Sequence, residues 1–217
     1  MVKKKKTSNK RRASSEKSPT KTKKLTKLPS FPIVGVGASA GGLEAFSALL
    51  QALPTDTGMA FVLVQHLHPS YESALTEILA RETAMSVQEA SDGMTVEPDH
   101  VYVIPPNVDL EVKNGILHLV SRPKEDHRRL PIDHFLRSLA EDQGGRAIGV
   151  ILSGTASDGV LGLKAIKAQG GITFAQDEKT AKYDGMPHSA IAAGTVDFTC
   201  RRQISLRSWR ASPNTPI

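Results

Sequence analysis

Residues Gly35–Gly42 read GVGASAGG, and two incompatible chemistries share this stretch. Gly35-x-Gly37-x-x-Ala40 fits the dinucleotide fingerprint, in which a glycine-rich turn seats a pyrophosphate on a helix N-terminus. Gly37-x-Ser39-x-Gly41 fits the nucleophile elbow, in which a tight strand-to-helix turn holds a serine out for attack. Both need a strand before the turn and a helix after it. Ile33-Val34-Gly35-Val36 is the apolar run that supplies the strand. Leu43, Phe46, Leu49, Leu50 and Leu53 recur at helical spacing as far as Pro54 and supply the helix.

The alternation continues along the chain. Ala60–Val64 is a second, fully apolar strand closed by Gln65-His66-Leu67-His68-Pro69, and a helix follows over about residues 72–82. Between residues 86 and 120 short strands take over: 86–90, 101–104, 110–112 and 116–119, the last two joined at Asn114-Gly115, a strong hairpin signal. This region reads as a β insertion at one edge of the sheet. Pro131 opens a helix that stops at Gly144-Gly145, and 147–152 is another buried strand, delivering SGTASDG at its end. A helix over 160–168, a strand over 172–174, a short helix in GMPHSAIAAG and a last strand over 196–198 complete the pattern. Uninterrupted apolar strands alternating with amphipathic helices predict an α/β fold: a doubly wound, mostly parallel, three-layer sheet in one domain with a small β insertion.

The two templates differ in what they require of the second strand. A dinucleotide site needs an acid there, about 20 residues beyond the glycines, for the ribose hydroxyls. The strand ends instead in Gln65 and His66. A serine nucleophile needs an imidazole to take its proton and a carboxylate to orient that imidazole. In open α/β sheets such groups collect outside the carboxyl ends of the strands. Ser39 ends the first strand, His66 the second, and Asp158 follows the strand 147–152, so three strands bring a serine, a histidine and an aspartate to one edge. His68, Asp177 and Asp184 are rivals that spacing leaves open, and both Ser39 and Asp158 stand where a helix N-cap would.

Composition limits the remaining classes. The 217 residues are 39% hydrophobic and 23% charged, enough for one globular domain. The formal charge of +6 suggests a nucleic-acid binder until it is located. Residues 1–28 carry twelve Lys or Arg against the single acid Glu16, and 200–217 carry four arginines and no acid. Residues 29–199 hold 12 basic and 21 acidic side chains, so the body is acidic and the ends are basic. The expected organisation is a disordered basic arm over 1–30, a catalytic domain over 31–199 and an irregular basic tail over 200–217. The arm could contact an anionic partner, and no specific nucleic acid is expected. No run approaches the roughly 18 apolar residues of a spanning helix. One cysteine, Cys200, forms no internal disulfide and offers no zinc spacing, which fits a reducing, cytoplasmic setting. Neither a cofactor nor a metal is expected.

Five motifs in order carry a family resemblance: IVGVGASAGGLEAF, FVLVQHLHPS, SDGMTVEPDHVYVIPPN, AIGVILSGTASDGVLGLKAIKAQGG and DGMPHSAI. Together they resemble the catalytic domain of the CheB-type chemotaxis receptor methylesterases, over residues 33 to about 199. The resemblance implies a triad of Ser39, His66 and Asp158, and hydrolysis of glutamyl methyl esters on a receptor's cytoplasmic helices, with glutamine deamidation in some members. It further implies oxyanion donors in the backbone amides of Ala40 and of the Thr155–Ala156 turn, and a loop with Met186 beside the site. The expected partners are methylated chemoreceptor helices and a methyltransferase, because the wording of PIDHFLRSLAEDQGGRAIGVILSG and AKYDGMPHSAIAAG is similar to the form fused ahead of a methyltransferase.

The chain departs from the family pattern in several places. A basic arm stands where many relatives have a phosphorylatable receiver domain, so control by phosphorylation of that kind is not expected. Ala40 and Ala156 stand where many relatives have threonine and glycine. Beyond Phe198, TCRRQISLRSWRASPNTPI lacks the expected acidic amphipathic helix and reads as a frame-shifted or truncated remnant of a longer fusion.

Overall fold

The computed structural model describes residues 29–65, 74–121 and 130–200. Residues 1–28 of the expected arm, 201–217 of the expected tail, the loop 122–129 and both His66 and His68 lie outside the described residues; Cys200, expected in the irregular tail, instead ends the last strand of the sheet.

β1 (Ile33–Ala38) is the middle of a seven-stranded sheet. On one side of it lie β2 (Ala60–Gln65), β5 (His100–Val103) and β3 (Ser86–Glu89). On the other lie β8 (Ala147–Ile151), β9 (Ile172–Gln176) and β10 (Phe198–Cys200). Every pairing is parallel. The chain steps from β1 to β2 in one direction and later resumes at β8 on the opposite flank. The ends of β1 and β8 therefore border a topological switch point, where open α/β sheets place their ligands.

Strand alternation divides the core in two. Val34, Val36 and Ala38 face a layer containing α1 (Gly42–Ala52), with Phe46, Leu49 and Leu50 buried, and Leu79 of α2 (Ala74–Ala80). Ile33 faces the layer of α3 (Pro131–Gln143), α4 (Val160–Ala168) and α5 (Gly185–Ala192). Each large side chain so enclosed contributes on the order of 2 kcal/mol.

Gly35 and Gly37 lie within β1, on the face toward α3. A Cβ at Gly35 would stand 2.5 Å from Leu136 Cδ2, and one at Gly37 would stand 2.3 Å from Ile132 Cγ2. These glycines lower the strand surface so that α3 can lie close to it. The dinucleotide fingerprint needs its first glycines in the turn itself, to bring backbone to a pyrophosphate, and here they are strand residues covered by a helix. The turn belongs to Ser39–Gly41.

Several details differ from the sequence expectation. The region 86–120 divides: β3 and β5 are parallel strands of the main sheet, because Val101, Tyr102 and Val103 are buried on both faces. The insertion is the smaller antiparallel sheet of β4 (Met94–Thr95), β7 (Ile116–Ser121) and β6 (Val108–Lys113), whose Leu110, Val112 and Leu117 join the core on the α3 side. Two residues of β4 are too few to carry a period. The last strand begins at Phe198 rather than Val196, because Asp197 turns inward and takes hydrogen bonds from Thr173 N and Oγ1 at 3.0 and 2.8 Å.

Candidate active site

Ser39 follows β1 directly. Its N–H donates to the Ser153 carbonyl at 3.0 Å, and its own carbonyl accepts from Gly42 N at 2.9 Å and from Gln65 Nε2 at 3.4 Å. The serine backbone is thus tied to the segment leaving β8 and to the last residue of β2. Gly41 closes the turn at φ 72°, a left-handed conformation that side chains resist, and a Cβ there would also lie 2.8 Å from Ser153 Oγ.

The facing wall is SGTASDG, residues 153–159. Gly154 N donates to the Tyr183 carbonyl and Met186 N to the Gly154 carbonyl, both at 2.9 Å. A Cβ on Gly154 would lie 2.1 Å from Met186 Sδ and 3.0 Å from Ser39 Cβ, so only glycine lets the serine, this loop and the buried Met186 meet. Thr155 and Ala156 are exposed, and Ala156 is held at φ 66°. The amides of Ala40, Thr155 and Ala156 donate to no acceptor among the described residues.

Asp158 is 1% exposed. Its Oδ2 accepts from Ile132 N at 3.1 Å and its Oδ1 from Asp133 N at 2.9 Å, so the carboxylate lies against the positive end of α3. Asp133, also buried, turns its carboxylate to Gly162 N at 2.7 Å, in the first turn of α4. Burial pushes the Asp133 carboxyl above the ordinary aspartate range; the neighbouring Asp158 charge adds to this, while the amides of Gly162, Gly159 and Leu161 oppose it. Of the rival aspartates, Asp177 accepts from Lys179 N at 2.9 Å in a local turn, and Asp184 is exposed ahead of α5.

The structure therefore brings Ser39, Gly154 and Met186 together, with Ala40 next in the chain to Ser39 and Thr155–Ala156 next to Gly154. Asp158 joins them through α3, since Ile132, whose N–H it accepts, packs over Gly37, two residues before Ser39. A groove of about 520 Å³ runs from Gly41 and Ser153 along Ala45 and Ala48 of α1. Among the described residues no cluster of three or more His, Cys, Asp or Glu is arranged to hold a metal ion, and no helix is long and apolar enough to cross a membrane. Sequence reasoning missed Ser153 and Asp133. The first stood inside a recognised motif, and the second resembles an ordinary acid in a first helical turn until its long-range partner is known.

A parallel α/β fold with a serine at the strand-to-helix turn of its central strand is the class this architecture defines. The family model described as CheB methylesterase matches residues 34–204, and the chain belongs to that family. The chain is 41% identical over 165 residues to a protein-glutamate methylesterase/protein-glutamine glutaminase of Burkholderia lata, covering 76% of this chain and 49% of that one. It is 38% identical over 174 residues to the protein of the same name in Photorhabdus laumondii subsp. laumondii, covering 78% and 49%. It spans about half the length of these relatives. The crystal structure of the Thermotoga maritima CheB methylesterase catalytic domain superposes with a TM-score of 0.75 at 31% identity, covering 82% of this chain and 96% of that domain.

Proposed function

We propose that the chain is a serine esterase that removes methyl esters from glutamyl residues on the cytoplasmic helices of chemoreceptor-type proteins, with glutamine deamidation as a second outcome at the same site. The observation that carries this reading is the close approach of Ser39 to the Gly154 loop, whose following amides donate to no acceptor among the described residues, with a buried carboxylate held on the adjoining helix end. Family membership and the names of the relatives support the substrate class.

Ser39 Oγ attacks the ester carbonyl carbon while His66 takes its proton. The amides of Ala40 and of Thr155–Ala156 receive the oxyanion, each worth on the order of 3 kcal/mol when aligned. Collapse breaks the C–O bond, and His66 returns the proton to methanol. Water, deprotonated by His66, then splits the acyl-enzyme and leaves a glutamate carboxylate on the receptor with Ser39 restored. Asp158 keeps the imidazole in the working tautomer. Its own orientation is supported by the two α3 amides.

The same reading places the catalytic unit at 31–199 in a cytoplasmic setting, with a methyltransferase as a functional partner and the basic residues 1–28 as a contact for anionic surfaces. The test is methanol release from a methylated chemoreceptor cytoplasmic fragment, with ammonia release from its glutamine form as the second readout. Ser39→Ala should lower turnover by about 10⁶. A wild-type chain that releases no methanol and takes no fluorophosphonate label at Ser39 overturns the proposal.

A further inference from the structure

Ser153 stands where three separate pieces of chain meet. It is 1% exposed. Its backbone carbonyl accepts from Ser39 N, and its N–H donates to Gln176 Oε1 at 2.9 Å, whose Nε2 in turn donates to the Thr180 carbonyl at 3.1 Å. The hydroxyl adds what the backbone cannot. Oγ accepts from Tyr183 N at 3.0 Å and lies 2.9 Å from the Ala40 carbonyl and 3.3 Å from the Tyr183 carbonyl. A hydroxyl has one proton, and the shorter contact makes Ala40 O its better acceptor. The Tyr183 carbonyl already takes Gly154 N.

The consequence is a buried crossbar. One end holds the peptide after Ala40, in the serine turn. The other holds the peptide before Tyr183, from which the chain runs to Met186. Between them lies Gly154, bonded to both Tyr183 and Met186 and followed at once by Thr155. The close approach of the Gly41 backbone to Ser153 Oγ leaves no space for a side chain at the joint.

We infer that Ser153 is a positioning residue for the esterase reaction: its hydroxyl fixes the separation between the Ala40 side and the Thr155 side of the crevice, so that amides from both can serve one oxyanion. This rests on the proposed role of Ser39. Oxyanion donors act through pre-set placement, and a displacement of about 1 Å costs on the order of 100-fold in rate. Removing the hydroxyl frees the Ala40 carbonyl and the Tyr183 amide at once, and the two walls can drift apart.

The experiment compares wild type, Ser153→Ala, Ser153→Thr and Ser39→Ala in the full chain, by methanol release from the methylated chemoreceptor fragment. Active sites are counted by fluorophosphonate titration so that rates refer to folded protein. Ser153→Ala is expected to lower kcat per titrated site by about 100-fold with KM within about 2-fold, and Ser153→Thr, which keeps a hydroxyl, to recover most of the loss. Ser153→Ala with wild-type kcat per titrated site overturns the inference and leaves the esterase reading standing, as does a loss explained by fewer folded molecules. A wild type with no turnover and no label at Ser39 overturns both.

Discussion

Asp133 and Asp158 each cap the helix beside the other. Asp158, two residues before α4, takes the N–H groups of Ile132 and Asp133 in the first turn of α3, and Asp133 takes Gly162 N in the first turn of α4. Neither helix start carries a side-chain cap of its own, so each depends on an acid supplied by the other. The exchange explains why two carboxylates tolerate one another in a buried corner: both face the positive end of a helix, and together they lock α3 to α4.

For Asp133 the exchange has a pH signature. The folded carboxyl sits above the ordinary value of 3.8, chiefly through burial. At pH values between 3.8 and that raised folded value, the native state binds more protons than the unfolded one, so stability falls as pH rises through this window. Asp133→Asn keeps an acceptor for Gly162 N and cannot ionise. The advantage of wild type over this variant should therefore be largest in acid and shrink toward neutral pH, as read by urea unfolding across the range. A gap independent of pH would exclude the effect.

Gly37→Ala should act at a distance. The new Cβ would meet Ile132 Cγ2 at 2.3 Å and Ile151 Cδ1 at 3.1 Å, an overpacking that costs about 1–3 kcal/mol. Ile132 also supplies an amide to Asp158, so turnover per titrated site should fall along with stability. The paired measurement is thermal unfolding and methanol release on the same preparation. A destabilised variant with unchanged kcat would separate the packing from the site.

Ala156→Gly should stabilise the fold slightly. An L side chain at φ 66° costs roughly 1–2 kcal/mol, and glycine removes that while adding about 0.4–1 kcal/mol of unfolded-state entropy. A net gain of about 0.5–1 kcal/mol in urea unfolding is expected.

Asp197, just before β10, is tied to α4 through Lys167 and to β9 through Thr173, by two unequal means. Its contact with Lys167 Nζ at 2.5 Å is half exposed and worth at most about 1 kcal/mol, while its bonds to the fully buried Thr173 leave a donor stranded if lost, at about 1–3 kcal/mol. Lys167→Ala should thus cost less than Asp197→Ala. Burial alone would raise the Asp197 carboxyl, but Lys167 and Thr173 together hold it below 3.8. Its contribution is complete above 3.8 and fades as pH falls through the depressed folded value. Chemical denaturation of both variants at neutral and acid pH checks the order and the sign.

The main sheet was legible in the sequence wherever an apolar run was long and flanked by a helical period, as for β1, α1, β2 and α4. Pro131 and the glycines at 144–145 marked α3 in the same way. What escaped was placement that depends on a distant partner. Nothing local shows that Gly35 and Gly37 serve helix packing, that Asp133 reaches α4, or that β3 and β5 leave the hairpin region to pair beside β2. Ser153 was visible as part of SGTASDG, but its three attachments join residues 40, 153 and 183, which proximity in sequence cannot connect. The wall of Ala40, Thr155, Ala156 and Met186 was assigned by family resemblance alone, since no local pattern marks a backbone amide as an oxyanion donor.

The strand order also sets a schedule for biosynthesis. Among the described strands β1 comes first in the chain, yet one flank pairs Ile33 with Ala147, far downstream. Until that partner emerges, a strand apolar on both faces waits with an open edge, exposed to wrong pairing. The nascent polypeptide must shield its central strand until Ala147–Ile151 appears, and chaperone demand should track that delay.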